Sequence, residues 1–463
     1  MTPTSGQAKP VKPAYRALAA VVVVLLGGCG AYVRPLTAAQ AARALPRRPF
    51  TAVWAAYSHR LVPALPPLEV RPHEGLTPAA AAVWAVVADP DLRAARSAGG
   101  IAQAQLLAAG LLPNPVFSLS AGLPISGLGL TDAFRAALSL PIRALVTRPA
   151  RVAAARARLR RVDLTLAWQA WQVALHAKDD VYQLGLLARE RGVLHTEIGD
   201  LRRQVALLAR GERARVVTAG VRQAALLALR HAQLEALQVA ALYRLKLLAL
   251  KGLLGLKPGE VLRFAPQDNR RFRAPVDRRA LFAGLAQRRL DLVALRAGYR
   301  APSAAVRVAV LGEFPPLALG INRARDTTDV NTIGADLSVA LPIFNHNQGA
   351  VAIAQATRRS LLRTYAARLA DARLKIAELI TSLHAARREI RARRQVVRTL
   401  VHLEGLYRQA LAEHAIDALV YYQLAARLTR ERLQEIATAA RLDQLGVALE
   451  TESGWFELPK APP

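Results

Sequence analysis

The chain has 463 residues, 64 of them Lys or Arg against 33 Asp or Glu, giving a formal net charge of +31, and its 53% hydrophobic content includes only 5% aromatics. That mix is too apolar for intrinsic disorder and too poor in Gly and Pro for a fibre, and one Cys allows neither an internal disulfide nor a Cys-built zinc site. A chain this rich in Ala, Leu and Arg suits a few very long helices better than several compact domains. Residues 1–16 carry Lys9, Lys12 and Arg16 with no acid, and an apolar run from Ala17 to Leu26 follows. A basic start and an apolar stretch too short for ~30 Å of hydrocarbon read as an export signal, not a membrane helix.

The run ends in Leu26-Gly27-Gly28-Cys29, which resembles the lipobox of bacterial lipoproteins. The resemblance implies a signal peptide over 1–28, a lipid (palmitate-bearing) on Cys29 and an N-terminal lipidated segment over 29–75. Gly30 stands where an Asp would imply inner-membrane retention, so sorting to the outer membrane is open. An exported chain meets little nucleic acid, and no basic cluster is interleaved with stacking aromatics. The positive charge is therefore read as solvated helix faces with anionic lipid or lipopolysaccharide contacts, and nucleic acid is not expected as a partner.

Four segments recur at offsets of 200 or 201: Asp91–Arg96 with Asp291–Arg296, Pro115–Leu119 with Pro316–Gly320, Leu140-Pro141-Ile142 with Leu341-Pro342-Ile343, and Gly211–Ala214 with Ala412–Ala415. This is a tandem duplication, with repeat 1 over 76–255, a Pro-containing linker over 256–275, repeat 2 over 276–450 and a tail over 451–463. Each repeat opens with a helix of about 20 residues, near 91–111 and 291–312. Gly99-Gly100 and Pro302 are expected to kink these helices.

Two period-2 segments follow in each repeat, about 115–122 and 134–142, then 316–323 and 333–342. Phe117, Leu119, Phe134, Leu138, Ile321, Ile333 and Leu337 fall on one face; Arg135, Ser139, Asn322, Asp336 and Ser338 fall on the other. Apolar-out, polar-in alternation is the pattern of a transmembrane β-strand, and it makes the second set the candidate pore lining. Helical hairpins are expected over 148–254 and 348–447. In the second, Leu362, Tyr365, Leu369, Ala372, Ile376, Leu379 and Leu383 keep a 3-4 spacing that Ile390, Val397 and Leu400 continue, which marks a coiled-coil seam. Breaks at Gly211 and at Ala412–Asp417 would fold each tract back near its middle, giving arms of roughly 75–95 Å.

Four strands cannot close a barrel, and open sheet edges are not tolerated in lipid, so further copies are required. The duplicated plan, the lipobox and Leu341-Pro342-Ile343-Phe344-Asn345-His346-Asn347-Gln348-Gly349 resemble the outer-membrane factor family, the TolC-like efflux proteins, over about 75–450. The resemblance implies a mainly α fold with membrane β-strands: two tandem repeats that, as a homotrimer, close a twelve-stranded barrel continued by an α-helical barrel in the periplasm. It implies the passive exit duct of a tripartite efflux pump, with a periplasmic adaptor and an inner-membrane transporter as partners. The 341–349 segment resembles the members paired with heavy-metal cation exporters. A periplasmic adaptor lipoprotein is the alternative, but it should carry one hairpin and no membrane-type strands; a basic coiled-coil nucleic-acid binder leaves the repeated strand ends unexplained.

No catalytic constellation is visible, so no enzyme activity, metal site or cofactor beyond the Cys29 lipid is expected. His346 and Asp326–Asp329 read as strand-end and loop residues, and Asp179-Asp180, being adjacent on a helix, point to different faces. The polar turns are the candidate periplasmic tip and gate: Gly211, Glu212, Arg213 and Arg215 in the first, Glu413, His414 and Asp417 in the second, where His414 would add pH dependence. Arg135 and Asp336 hold equivalent positions in the repeats, so their charges are expected to alternate around the pore.

Overall fold

The computed structural model describes residues 75–265, 272 and 276–458, apart from 128 and 414. All of these belong to the compact unit Arg48–Pro463; a second unit, Met1–Arg47, lies outside the described residues, as do Cys29 and nearly all of the 29–75 segment.

Two short helices open the described chain, and the first of them is absent from the sequence reading. Thr77 Oγ1 accepts from Ala80 N at 3.1 Å to cap α1 (Pro78–Ala88). Asp89 Oδ1 accepts from Leu92 N at 2.6 Å to cap α2 (Pro90–Ala95). Each has Pro in its first turn, where no N–H is needed. The expected 91–111 helix is thus split into α2 and α3 (Ser97–Gly110), with the junction at Arg96 rather than at Gly99-Gly100. Repeat 2 follows the same rule. After the single-turn helices α6 (Arg278–Phe282) and α7 (Leu285–Arg288), α8 (Leu290–Gly298) and α9 (Arg300–Leu311) meet at Tyr299 rather than at Pro302. Gly99 and Pro302 both lie in the first turn of the second helix, where neither a flexible residue nor a missing N–H bends anything.

β1 (Val116–Gly122), β2 (Ala133–Pro141), β3 (Leu317–Arg325) and β4 (Asn331–Val339) form one antiparallel sheet in that order, so β2 and β3 join the two repeats edge to edge. The register places Phe117 beside Leu138, Leu138 beside Ile321, and Leu319 beside Leu337, so one face is apolar across the four strands until Arg323, which stands between Ala136 and Ile333 near the far end. That face is exposed: Phe117, Ile321 and Leu337 are each 65% accessible. Among the described residues β1 and β4 have no partner on their outer sides, and they run antiparallel to each other.

β2 runs directly into α4 (Ile142–Arg213, 72 residues), which turns back as α5 (Ala219–Leu253, 35 residues). In repeat 2, α10 (Gln348–Ala412, 65 residues) turns back as α11 (Ala418–Ser453, 36 residues). The hairpins are therefore unequal, about 108 and 98 Å outward and only about 52 and 54 Å back, instead of having matched arms. The return arm of repeat 1 stops at Gly255, whose left-handed φ of +62° and close approach to the Ala88 carbonyl exclude a side chain. Beyond that level the upper part of α4 is flanked by α3, α8 and α9, and that of α10 by α9.

The core lies where the short helices end. Trp171 and Leu175 of α4, Ile376 and Leu383 of α10, Leu442 of α11, Phe272 of the linker and Phe456 beyond α11 pack into one cluster. The coiled-coil seam holds from Ala372 down through Ile376, Leu383, Ile390 and Leu400, all buried. Leu362, higher on the same stripe, is 55% exposed because no return arm reaches that level.

Candidate functional site

The polar face of the sheet carries every expected pore residue. Ala318 stands beside Ser338, Ser139 beside Gly320, Asn322 beside Gly334, and Gly320 beside Asp336. Gly320 is held to glycine because a Cβ there would lie 2.8 Å from the Leu138 carbonyl oxygen. Arg135 of β2 reaches over β3 and donates to Asp336 of β4. Within one chain these two charges neutralise each other, because one strand lies between them and Arg is long enough to span it.

The far ends of the strands close into a bonded loop pair. Thr131 N donates to Thr327 O at 2.9 Å, and Arg325 donates to Asp132 O at 3.0 Å. Asp326 accepts from Val330 N, Thr328 N and Thr328 Oγ1, and the backbone bond from Val330 foremost holds its carboxyl below the usual range. These oxygens are used by the turn itself, as the loop reading expects.

At the first helical turn, Gly211 O accepts from both Val216 N and Val217 N, Arg215 adopts a left-handed φ of +59°, and a Cβ on Gly211 would meet Val217 Cγ2 at 2.8 Å. Glu212 pairs with Arg222 across the turn, each about one-third exposed or less, while Arg213 and Arg215 face solvent. At the second turn, Asp417 Oδ1 caps α11 by accepting from Leu419 N at 3.0 Å, and Glu413 accepts from Gln409 Nε2 at 2.9 Å. His414 lies outside the described residues. Just above, Glu404 takes hydrogen bonds from Arg408 and from Tyr421 Oη, the latter at 2.8 Å. Burial pushes the Glu404 carboxyl up, but these two bonds outweigh it and hold it below the usual range.

Arg222, Glu404, Arg408 and Tyr421 escaped the sequence reading. Part of the signal was there: Glu212 is next to last in α4 and Arg222 is the fourth residue of α5, so a tight turn brings them close, and Glu404 and Arg408 stand four apart on one helix; Tyr421 gave none.

Inside the helical body, Lys178 of α4 and Glu450 of α11 form a fully buried ion pair that ties repeat 1 to repeat 2. Lys178 also donates to the Phe456 carbonyl at 2.9 Å and lies 4.4 Å from the centre of its ring. Asp180 pairs with Lys246 at 2.9 Å, whereas burial and then the neighbouring Asp180 push Asp179 up to about 6. Asp179 accepts from Gln183 Nε2, so the two carboxylates take different partners. Exposed His346 donates its backbone N–H to Gln348 Oε1. Among the described residues no group of three or more His, Cys, Asp or Glu is placed to hold a metal ion, and no helix is long and apolar enough to cross a membrane.

No protein-family model matches this chain, and no curated protein matches it. Solved structures do. CusC, studied for the conformational changes that accompany folding and transmembrane channel formation, superposes with a TM-score of 0.69 at 16% identity, over 84% of this chain and 95% of its own. VceC, an outer membrane protein of Vibrio cholerae, gives 0.65 at 18% identity over 81% and 95%. The open state of the Neisseria gonorrhoeae MtrE outer membrane channel gives 0.61 at 14% identity over 83% and 90%.

Proposed function

We propose that this chain, which has the fold of the TolC-like outer-membrane factor channels, is itself an outer-membrane exit duct. The observation that carries this reading is the sheet: one face apolar and exposed, the other polar, with both edges open. Such an object is stable in lipid only when its edges are paired. Because β1 and β4 are antiparallel, β4 of one copy can pair with β1 of the next without breaking the pattern. Three copies give a twelve-stranded barrel, with α4 and α10 of each copy continuing it into the periplasm as a helical tube. Lipid on Cys29 would hold each chain to the same membrane.

A duct needs no acid, base or nucleophile. The energy for transport comes from an inner-membrane transporter, joined through a periplasmic adaptor that meets the helical tips. The gate lies there. Glu212–Arg222 and the Glu404–Arg408–Tyr421 group brace each turn, and a docked adaptor would exchange its own contacts for those of the tip residues. The 341–349 resemblance to heavy-metal systems is confined to one strand end; the charge along the lumen says more about cargo.

The test is single-channel recording of the detergent-extracted protein in a planar bilayer, with mass determination on the same sample. A trimeric mass with discrete conductance steps is expected; a monomer that inserts nothing would defeat the proposal.

A further inference from the structure

The helices nearest the sheet form a layer in the order α3, α4, α9, α10, each packed on the next. All four line a single cleft of about 790 Å³, so the layer curves around it. The cleft begins at Arg143, two residues past the end of β2, and at Asn347, one residue before α10, and so continues directly from the sheet. In a layer that closes into a tube, the concave side is the lumen; the assignment rests on the duct proposed above.

Arg143, Arg151 and Arg158 of α4 all enter this cleft, and its lining contains no acidic residue. Their spacing of eight and seven residues keeps them on one side of the helix. Among the described residues none of the three is paired with a carboxylate, in contrast to Arg135, which Asp336 neutralises in the sheet just above. Apart from the uncharged polar Gln105, Asn347 and Thr357, the rest of the lining is Ala or apolar, including Ala154, Pro302, Val308 and Ile353. The same tract, residues 142–162, holds seven Arg and no Asp or Glu. Arg156 and Arg160 turn to the opposite side of α4 and are exposed there.

We infer that the lumen below the barrel is an anion-selective collar and that the cargo is anionic: an organic molecule bearing a carboxylate, sulfonate or phosphate on an apolar body. A ring of guanidinium groups that no carboxylate neutralises, in a confined passage, raises the local concentration of anions and excludes small cations. The Ala-, Pro- and Ile-lined wall between the charges accepts the apolar part of such a solute. The strong positive balance of the chain thereby acquires a role that metal-cation cargo would not need.

The full-length oligomer in a planar bilayer under asymmetric potassium chloride supplies the test, read as reversal potential. The unaltered protein is expected to favour chloride over potassium. R143Q/R151Q/R158Q should lower that permeability ratio several-fold, while R156Q/R160Q leaves it in place. Octanoate added to one side should reduce the chloride current where tetraethylammonium does not. A potassium preference in the unaltered protein, an unchanged ratio in the triple variant or indifference to octanoate would overturn the collar while leaving the duct standing. Absence of any channel would overturn the duct and the collar together. The unaltered protein's reversal potential decides the sign even if the triple variant fails to assemble.

Discussion

Arg135 and Asp336 stand 201 residues apart, at equivalent positions of the two repeats, and bond to each other over the strand between them. Corresponding positions of the two halves carry opposite charges, and the fold brings them together. Asn322, on the intervening strand, hydrogen-bonds the same carboxylate.

Because the pair is exposed, removing one partner should disturb permeation more than stability. Asp336→Asn leaves Arg135 uncompensated on the polar face and should raise the chloride preference. Arg135→Gln leaves Asp336 uncompensated and should lower it. Reversal potentials of the two variants, moving in opposite directions from the unaltered protein, are the check.

Lys178 and Glu450 behave differently because neither touches water. Lys178→Met strands a carboxylate in the core and should cost about 3–5 kcal/mol, whereas K178M/E450M should recover most of the loss. Chemical unfolding midpoints in detergent for the two variants measure the difference. A double variant no better than the single one would show that Glu450 is not the group left in need.

Asp179 gives a pH signature. Its folded value, about 6, lies above the ordinary 3.8, so the folded chain keeps a proton that the unfolded chain has lost. Its contribution to stability is full below about pH 4 and disappears as the pH rises through about 6, a swing on the order of 2–3 kcal/mol. Asp179→Asn should flatten stability across that window and raise it at pH 7, with Gln183 still able to donate to the amide oxygen. Denaturation series at pH 4, 5, 6 and 7 provide the comparison.

At the tips, Glu212→Gln removes the charge that Arg222 holds across the first turn, and Glu404→Gln removes the acceptor charge between Arg408 and Tyr421. Either change should raise the open fraction of single channels, and the two together should raise it further. Conductance insensitive to both would keep the duct and discard this gate.

The strands were legible because one apolar and one polar face impose a two-residue period, which β3 keeps as far as Ile321. Phe117, Leu138, Ile321 and Leu337 fell on one face in the sequence and do so in the sheet. The helices were legible as helices, but not in their lengths. Leu362 continues the seam's spacing at a level that no return arm reaches, so periodicity alone could not show where the return arm ends. Gly99 and Pro302 misled for a related reason: their effect depends on position within a turn, which requires the start of the helix to be known. Arg135–Asp336 and Lys178–Glu450 join residues hundreds of positions apart, and only the finished packing of the two repeats creates them.

The unequal hairpins give the helical body the construction of a cask. The two full-length helices are staves, and the shorter ones are half-staves that abut at a common girth. Phe272 from the linker lies against Tyr182 there, Phe456 from beyond α11 lies against Trp171, and Val86 of α1 belongs to the same cluster. These segments cross the staves as a hoop. Gly446 belongs to the same binding, since a side chain at that position would occupy the space of the Phe272 ring. Where butt joints share one level, a hoop at that level resists splaying of both ends at once, so the few residues outside the long helices set how far the tips below can spread without loosening the strands above.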